Sequence, residues 1–436
     1  MRRVQRKSSV RVGQVFVEFT AKPVSAWSGM ATLIGGLLER IEFRSWVERS
    51  LPVEEISNNA CGAYSKILSH LLTVFSGGER FGHMQWWHHG VEVFEQAFGV
   101  ERFAKASTSL TRFWNKFDSQ AKSEAWSEAS RDFVRQVLGW ADVRSGNLNL
   151  DSTVVTRYGK QQGAYKGYNP KKKGRASHHP LLAFVDSGYV VNLWNRSGNV
   201  SSGQECPSFF RTDRPVSGRP LQHQLRPVRQ HIETRPNATG KSGEQMSLFE
   251  EYETLGGYRY SVMISNDAAL TPVEVWRNYR PRAKDENVIK DLKQGLGFGA
   301  FNLQRFWATE AVMVTTALVA YNLLRYLDSQ LLSRNQAHNS SKTMRNTWFI
   351  LPGQLGNSGG RYRLRIAVTE KKIRAKIVRV IHEIQRLPHR LKCSSASLAT
   401  QALRRERKRK KRRTHRPPKT LIETNKETQT PSFEGR

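Results

Sequence analysis

Apolar residues recur at helical spacing through the first third of the chain. Met30, Leu33, Ile34, Leu37, Leu38 and Ile41 share one side of a helix opening near Trp27. Ile56, Tyr64, Ile67, Leu68, Leu71 and Leu72 carry the period on to Phe75. Val91 to Phe98 predicts a short helix. The run S-T-S-L-T-R-F-W from Ser107 has the hydroxyls and apolar spacing of a helix start. Asp118 to Leu138 is a further amphipathic stretch. About ten basic, frayed residues and a short strand, V-F-V-E-F from Val15, come before all of these. The pattern predicts a helical N-terminal domain over 1–145, with its helices in about 20–140. It either grips DNA or only packs, and it carries no clean helix-turn-helix pattern.

The period changes at Leu148. L-N-L-D-S-T-V-V-T alternates and is rich in branched residues, so it predicts a strand. Two further strands are predicted in H-H-P-L-L-A-F-V from His178 and G-Y-V-V-N-L-W-N from Gly188, with Asp186 and Ser187 in the turn between them. Residues 148–195 therefore predict the opening antiparallel strands of a mixed sheet, in an α/β domain over 146–330. From Arg196 to about Gln245 no strand-length apolar segment stands out, so about 200–245 predicts an irregular, loop-like insert. A strand follows in Y-R-Y-S-V-M-I-S-N from Tyr258. Thr271 then stands as a helix cap, with Pro272 in the first turn.

Beyond it, Trp307 opens a long buried helix whose Thr residues are expected to pack. Ala311 to Leu324 is too short and too polar to span a bilayer. R-N-T-W-F-I-L-P-G-Q-L and R-Y-R-L-R-I-A-V predict two strands, and Lys371 to Arg386 a basic amphipathic helix, in a small C-terminal domain over 331–400. Residues 401–436 form a basic tail not expected to fold alone.

Charge narrows the partners. The 436 residues carry a formal net charge of +33, with 38% hydrophobic content, a pI near 10.5 and a mean hydropathy of -0.58. An excess of that size opposes compaction and attracts polyanions, so DNA or RNA is the default partner. The 11 Trp and 20 Phe exclude a simple basic tail. Cys61, Cys206 and Cys393 form no C-x-x-C pair, which argues against structural zinc and for a reducing compartment. The N-terminus lacks the apolar core of a secretory signal.

The chemistry concentrates in Y-R-P-R-A-K-D-E-N-V-I-K-D-L-K, from Tyr279 to Lys293. At about 100 degrees per residue, Tyr279, Arg282, Glu286 and Lys293 form one stripe. Val288, Ile289, Leu292 and Leu296 form an apolar side, and Gly295, Gly297 and Gly299 end the pattern. Pro281 suits the first turn of a new helix. One reading is a surface helix with an Arg282–Glu286 salt link. The other is a carboxylate able to hold a divalent metal beside cations and a phenol suited to phosphate oxygens, as cutting or joining a nucleic-acid backbone requires. Asp151 in the first strand is either a ladder residue or a second carboxylate of such a site. The loop Gln161 to Ser177 places Lys166, Lys171, Lys172 and Lys173 among tyrosines, which suits either a backbone groove or a solvated loop. His178 and His179 are adjacent on a strand and point to opposite faces, as structural residues would.

The spelling Y-x2-R-x3-E-x6-K resembles the signature of DDE transposases encoded by bacterial insertion sequences. N-L-D-S-T-V, Y-K-G-Y-N-P-K-K-K-G, H-H-P-L-L-A-F-V, R-S-G-N and Y-R-Y-S-V-M-I-S-N look like the same family's catalytic core. The resemblance covers roughly residues 25–385. It implies an RNase H-like catalytic domain interrupted by an insertion, with strand cleavage and end joining assisted by paired Mg²⁺, or Mn²⁺ in its place. It also implies transposon-end and target double-stranded DNA as partners, a dimer in the DNA complex, no membrane, and a cytoplasmic, nucleoid-associated setting. Asp151 and Glu286 would be the first and third carboxylates and the metal ligands. Tyr279, Arg282 and Lys293 would position the end DNA, with Lys166 and Lys171–Lys173 assisting. The second carboxylate departs from the family. Asp186 matches an earlier turn, while Asp213 is nearest in chain order but has poor flanks, and the segment 200–245 looks scrambled. An inert copy, an RNase H-like nuclease and a non-catalytic basic DNA-binding protein are the alternatives.

Overall fold

The computed structural model describes residues 10–12, 14–17, 23–55, 61–144, 146–200, 224–231, 258–265, 271, 273–274, 283–333 and 338–392. The first half is helical: α1 (Ser28–Arg40), α2 (Phe43–Ser50), α3 (Ala63–Phe75), α4 (Gln85–His88), α5 (Val91–Phe98), α6 (Ser107–Trp114) and α7 (Gln120–Trp140). Large aromatics fill its centre. Trp46 stacks on Phe43 at 5.3 Å and meets Phe133 and Trp126 at 5.2 and 5.4 Å. The expected hydroxyl cap of α6 does not form. Ala106 is the capping position, and its carbonyl accepts the Ser109 amide directly.

Among the described residues the strands are short and every ladder is antiparallel. Beside a hairpin of β1 (Val10–Val12) and β2 (Val15–Val17), β3 (Val24–Ser25) pairs with β12 (Gly353–Ser358), which pairs with β13 (Arg361–Ile366). The central sheet runs β4 (Leu148–Ser152), β8 (Leu181–Val185), β9 (Val190–Trp194). A second sheet runs β5 (Val155–Thr156), β7 (Ala176–His178), β6 (Tyr165–Lys166). The antiparallel strands expected over 148–195 are present, and among the described residues no parallel ladder joins them.

One predicted strand is broken in two: L-N-L-D-S-T-V-V-T passes from the central sheet to the second at Thr153–Val154. The strand expected within H-H-P-L-L-A-F-V is β8, which starts after Pro180 because proline lacks the amide a ladder needs. The segment expected to be wholly irregular contains a strand, β10 (Gln224–His231), paired with β11 (Tyr258–Ser265). Pro227 is accommodated because a two-stranded ribbon leaves one side of each strand unpaired.

Helix α8 (Ala283–Gly295) ends at the predicted glycines. Gly299 has φ +78°, and a Cβ there would stand 2.8 Å from both Val155 methyls, so the chain after α8 closes directly onto β5. Helix α9 (Phe306–Leu332) includes π-helical stretches at Thr315–Tyr321 and Leu327–Leu332. It is long and apolar enough to cross a membrane, yet 94% of its most apolar window is buried inside the protein. Its threonines do more than pack. Trp126 Nε1 donates to Thr315 Oγ1 at 2.9 Å, and His70 Nε2 lies 2.9 Å from Thr316 Oγ1. Asn322 acts as a strand substitute: its amide side chain accepts from Val190 N at 3.0 Å and donates to Val190 O at 2.7 Å, satisfying β9.

The segment Arg345–Phe349, expected as a strand, is helical and continues α10 from Ser341–Met344. Helix α11 (Lys371–Arg386) has its predicted bounds. The C-terminal part folds back on the first helices. Leu391 N donates to Ile41 O at 2.9 Å, Arg40 Nε to Leu387 O at 2.7 Å, and Gln136 Nε2 to Lys392 O at 3.0 Å. One apolar core runs from α1 through the central sheet to α11.

Candidate active site

The break between β4 and β5 creates the site's anchor. Val154 lies outside both ladders, and its carbonyl accepts a hydrogen bond from Lys293 Nζ at 2.9 Å. That bond fixes α8 against the end of the strand carrying Asp151. Burial, together with the Lys171 charge, holds the Lys293 amine below the ordinary lysine value, and Asp151 pulls in the opposite direction. Asp151 and Lys171, from two other parts of the sequence, therefore each lie within electrostatic reach of Lys293.

Asp151 is half-buried and sits opposite Leu182 in the β4–β8 ladder. Glu286 is exposed in the first half of α8. It lies seven residues before Lys293, on the same face and about 10 Å further along the axis. The stripe thus begins in solvent at Glu286 and ends half-buried beside Asp151. Tyr279, Arg282 and Asp213 lie outside the described residues, as do the predicted frayed N-terminus and the basic tail.

The lysine turn is built, not merely solvated. Asn169 is buried. It accepts from Lys172 N at Oδ1 (3.1 Å) and donates from Nδ2 to Thr156 Oγ1 (3.1 Å), tying N-P-K-K-K to β5. Lys166, Lys171, Lys172 and Lys173 are all exposed. Tyr158, Tyr165 and Tyr168 stand among them 72%, 55% and 71% exposed, with Arg175 over the Tyr158 ring.

The role of R-S-G-N is steric. A Cβ on Gly198 would fall 2.1 Å from Ser177 O and 2.4 Å from Tyr165 O, and one on Gly167 would fall 2.0 Å from Gly198 O. Only glycines at both positions let the basic loop lie flat on the sheet edge.

Asp186, His178 and Thr271 each hold local structure. Asp186 accepts from Asn147 N and Nδ2 at 2.9 and 2.8 Å, so it secures the start of β4, in the turn where the sequence placed it. His178 is buried, and each of its ring nitrogens has a partner. Arg157 Nε donates to Nδ1 at 3.2 Å, which leaves Nε2–H to donate to Gln162 O at 3.0 Å. Burial, with the Arg157 charge, pushes its pKa down to about 4. Thr271 and Glu274 form a reciprocal cap, with Glu274 N donating to Thr271 Oγ1 and Thr271 N to Glu274 Oε2. A cavity of about 580 Å³ lies a quarter turn around α8 from the Glu286–Lys293 face, lined by Asn287, Lys290, Asp291 and Arg325 among others.

The sequence reading missed Glu310. It is buried in α9, accepting from Ser123 Oγ at 3.0 Å and Asn195 N at 3.1 Å, and burial raises its pKa to about 7. It is the single charged residue between Trp307 and Leu324, a signal that was open to reading.

Among the described residues, no group of three or more His, Cys, Asp or Glu side chains is arranged to hold a metal. Compared with protein-family models, curated proteins and solved structures, the chain matches none.

Proposed function

We propose that the chain is a DDE-type DNA transposase of an insertion sequence, built on an RNase H-like core, which cuts DNA and joins the freed ends to a new site. The observation that carries this reading is the Lys293–Val154 bond, which sets the helix of Glu286 against the strand of Asp151 with Lys171 close by. Three antiparallel strands in chain order, with Asp151 on the first, also support it.

The donor set suits Mg²⁺. That ion is usually held through one or two carboxylates, with water and substrate phosphate oxygens completing its shell. Asp151 and Glu286 would hold it, and Mn²⁺ would substitute. A second ion requires a further carboxylate, for which Asp213 is the candidate by chain order. When bound, the metal polarises the scissile phosphate and acidifies water.

The protein's own groups do the rest. Lys293 and Lys171 offer ammonium groups to the phosphate nearest Asp151. Lys166, Lys172 and Lys173 hold flanking phosphates, and the exposed tyrosines offer faces for unpaired bases. Arg282 and Tyr279 would extend the clamp. Joining two ends requires two copies of the chain on the DNA, in the cytoplasm beside the nucleoid.

A plasmid carrying the element with its flanks tests the reading. Metal-dependent nicking and joining are expected, with Asp151→Asn and Glu286→Gln each slower by about 10²-fold or more. Equal activity in the parent and Glu286→Gln rejects the site. Cutting without joining assigns a nuclease. One second reading is a non-catalytic DNA-binding protein, which the net charge of +33 supports equally. That reading is assigned if both variants keep full DNA affinity and the parent never cuts.

A further inference from the structure

The β12–β13 hairpin belongs to a different sheet from Asp151. Its turn is Gly359–Gly360, both at positive φ (+60° and +72°), which is the two-residue geometry that matches strand twist. The register pairs Gln354 with Arg365, Gly356 with Arg363, and Ser358 with Arg361. Side chains alternate across a ladder, so these six residues share one face. That face carries three arginines and no acid. The opposite face packs Leu355 and Leu364 against the core. Residues 356–363 are all exposed, so the tip stands clear of the body. Gly356 leaves Arg363 uncovered, because a Cβ there would meet nothing nearer than Arg363 O at 3.9 Å.

We propose that this ribbon is a second DNA-contacting surface, which lays Arg361, Arg363 and Arg365 along the phosphates of duplex DNA. Alternate residues on a strand stand about 6.8 Å apart. The three guanidiniums are therefore spaced to reach separate phosphates rather than to share one. A two-stranded ribbon fits the major groove of B-form DNA, whereas the deep, narrow groove of duplex RNA excludes it. The charge continues into α11: between Gly353 and Lys376 there are seven Lys or Arg and one acid, Glu370.

The choice of DNA rests on the function proposed above, so the test runs on the full chain carrying Asp151→Asn and Glu286→Gln, with no metal. Failure of the strand chemistry then leaves the measurement intact. Fluorescence anisotropy of a labelled duplex is followed over a salt series. Each phosphate contact contributes about 0.9 to the slope of log K against log salt. The combined variant Arg361→Gln, Arg363→Gln, Arg365→Gln is expected to flatten the slope by about 2.7, with an unchanged melting temperature. Gly356→Glu, which adds a carboxylate to the face and leaves the arginines in place, is expected to weaken binding too. An unchanged slope in the triple variant, or unchanged affinity in Gly356→Glu, overturns the proposal. So does a loss confined to RNA or to anionic vesicles.

Discussion

Replacing Glu310 with Gln tests the electrostatics of the core directly. The carboxyl sits where α7, the end of β9 and α9 meet, and its two oxygens accept from Ser123 Oγ and Asn195 N. Desolvation lifts its pKa from 4.5 to about 7. Ionising a carboxyl held that high costs the folded chain on the order of 3 kcal/mol. The unfolded chain gives up this proton near 4.5, while the folded chain keeps it until about 7. Stability is therefore fully present below the lower value, falls as pH rises through the window, and is level above it. Gln has nothing to titrate and preserves both bonds: its oxygen accepts from Asn195 N, and its amide donates to Ser123 Oγ. The Gln variant should match the parent below pH 4.5 and exceed it above pH 7, by on the order of 3 kcal/mol. Urea unfolding followed by tryptophan fluorescence reads this, since Trp126 reports on the same α7–α9 contact. Taking the difference between the two proteins at each pH cancels the other titrating groups. Parallel stability curves, or a Gln variant weaker than the parent above pH 7, would refute the reasoning.

Three further outcomes are expected. Burial holds His70 down to about 3 and His178 to about 4, so their contribution is present above pH 6.5 and lost as the solution is acidified. His70→Gln, which still donates to Thr316, should flatten that acid limb in a series of unfolding midpoints, and an unaltered limb would contradict it. Lys293→Met removes the bond to Val154 and should cost about 1.5–3 kcal/mol of stability as well as strand-cutting activity; a fully stable variant would count against the anchor. Gly198→Ala forces a methyl group into the Ser177 and Tyr165 carbonyls and should cost about 1–3 kcal/mol. It should also open Gln161–Ser177 to protease, and unchanged cleavage there would show that the loop is not pinned.

Most helices and several strands were legible because they repeat. Lys371–Arg386 and Val91–Phe98 have the bounds their apolar spacing predicts. Failures came where one residue's backbone outweighed the pattern. Thr153–Val154 switches sheets with no composition change to announce it. Trp348 and Phe349 read as strand residues, yet they are buried in a helical turn against α1 and α3. Gln224–His231 is too polar for alternation to betray a strand that depends on its partner. At the site, Asp151, Lys293 and Lys171 were each chosen from the sequence. The bond from Lys293 to the Val154 carbonyl was not legible there, because it depends on a ladder ending at one particular peptide.

The return of residues 387–392 to the first helices has a consequence for synthesis. Until the ribosome has passed α11, the α1 surface around Gly36 that receives Ile384 has no cover, and the Ile41 carbonyl has no donor from Leu391. A nascent or prematurely terminated chain presents that greasy face to the cell, so quality control should remove fragments ending before α11 while sparing the finished polypeptide.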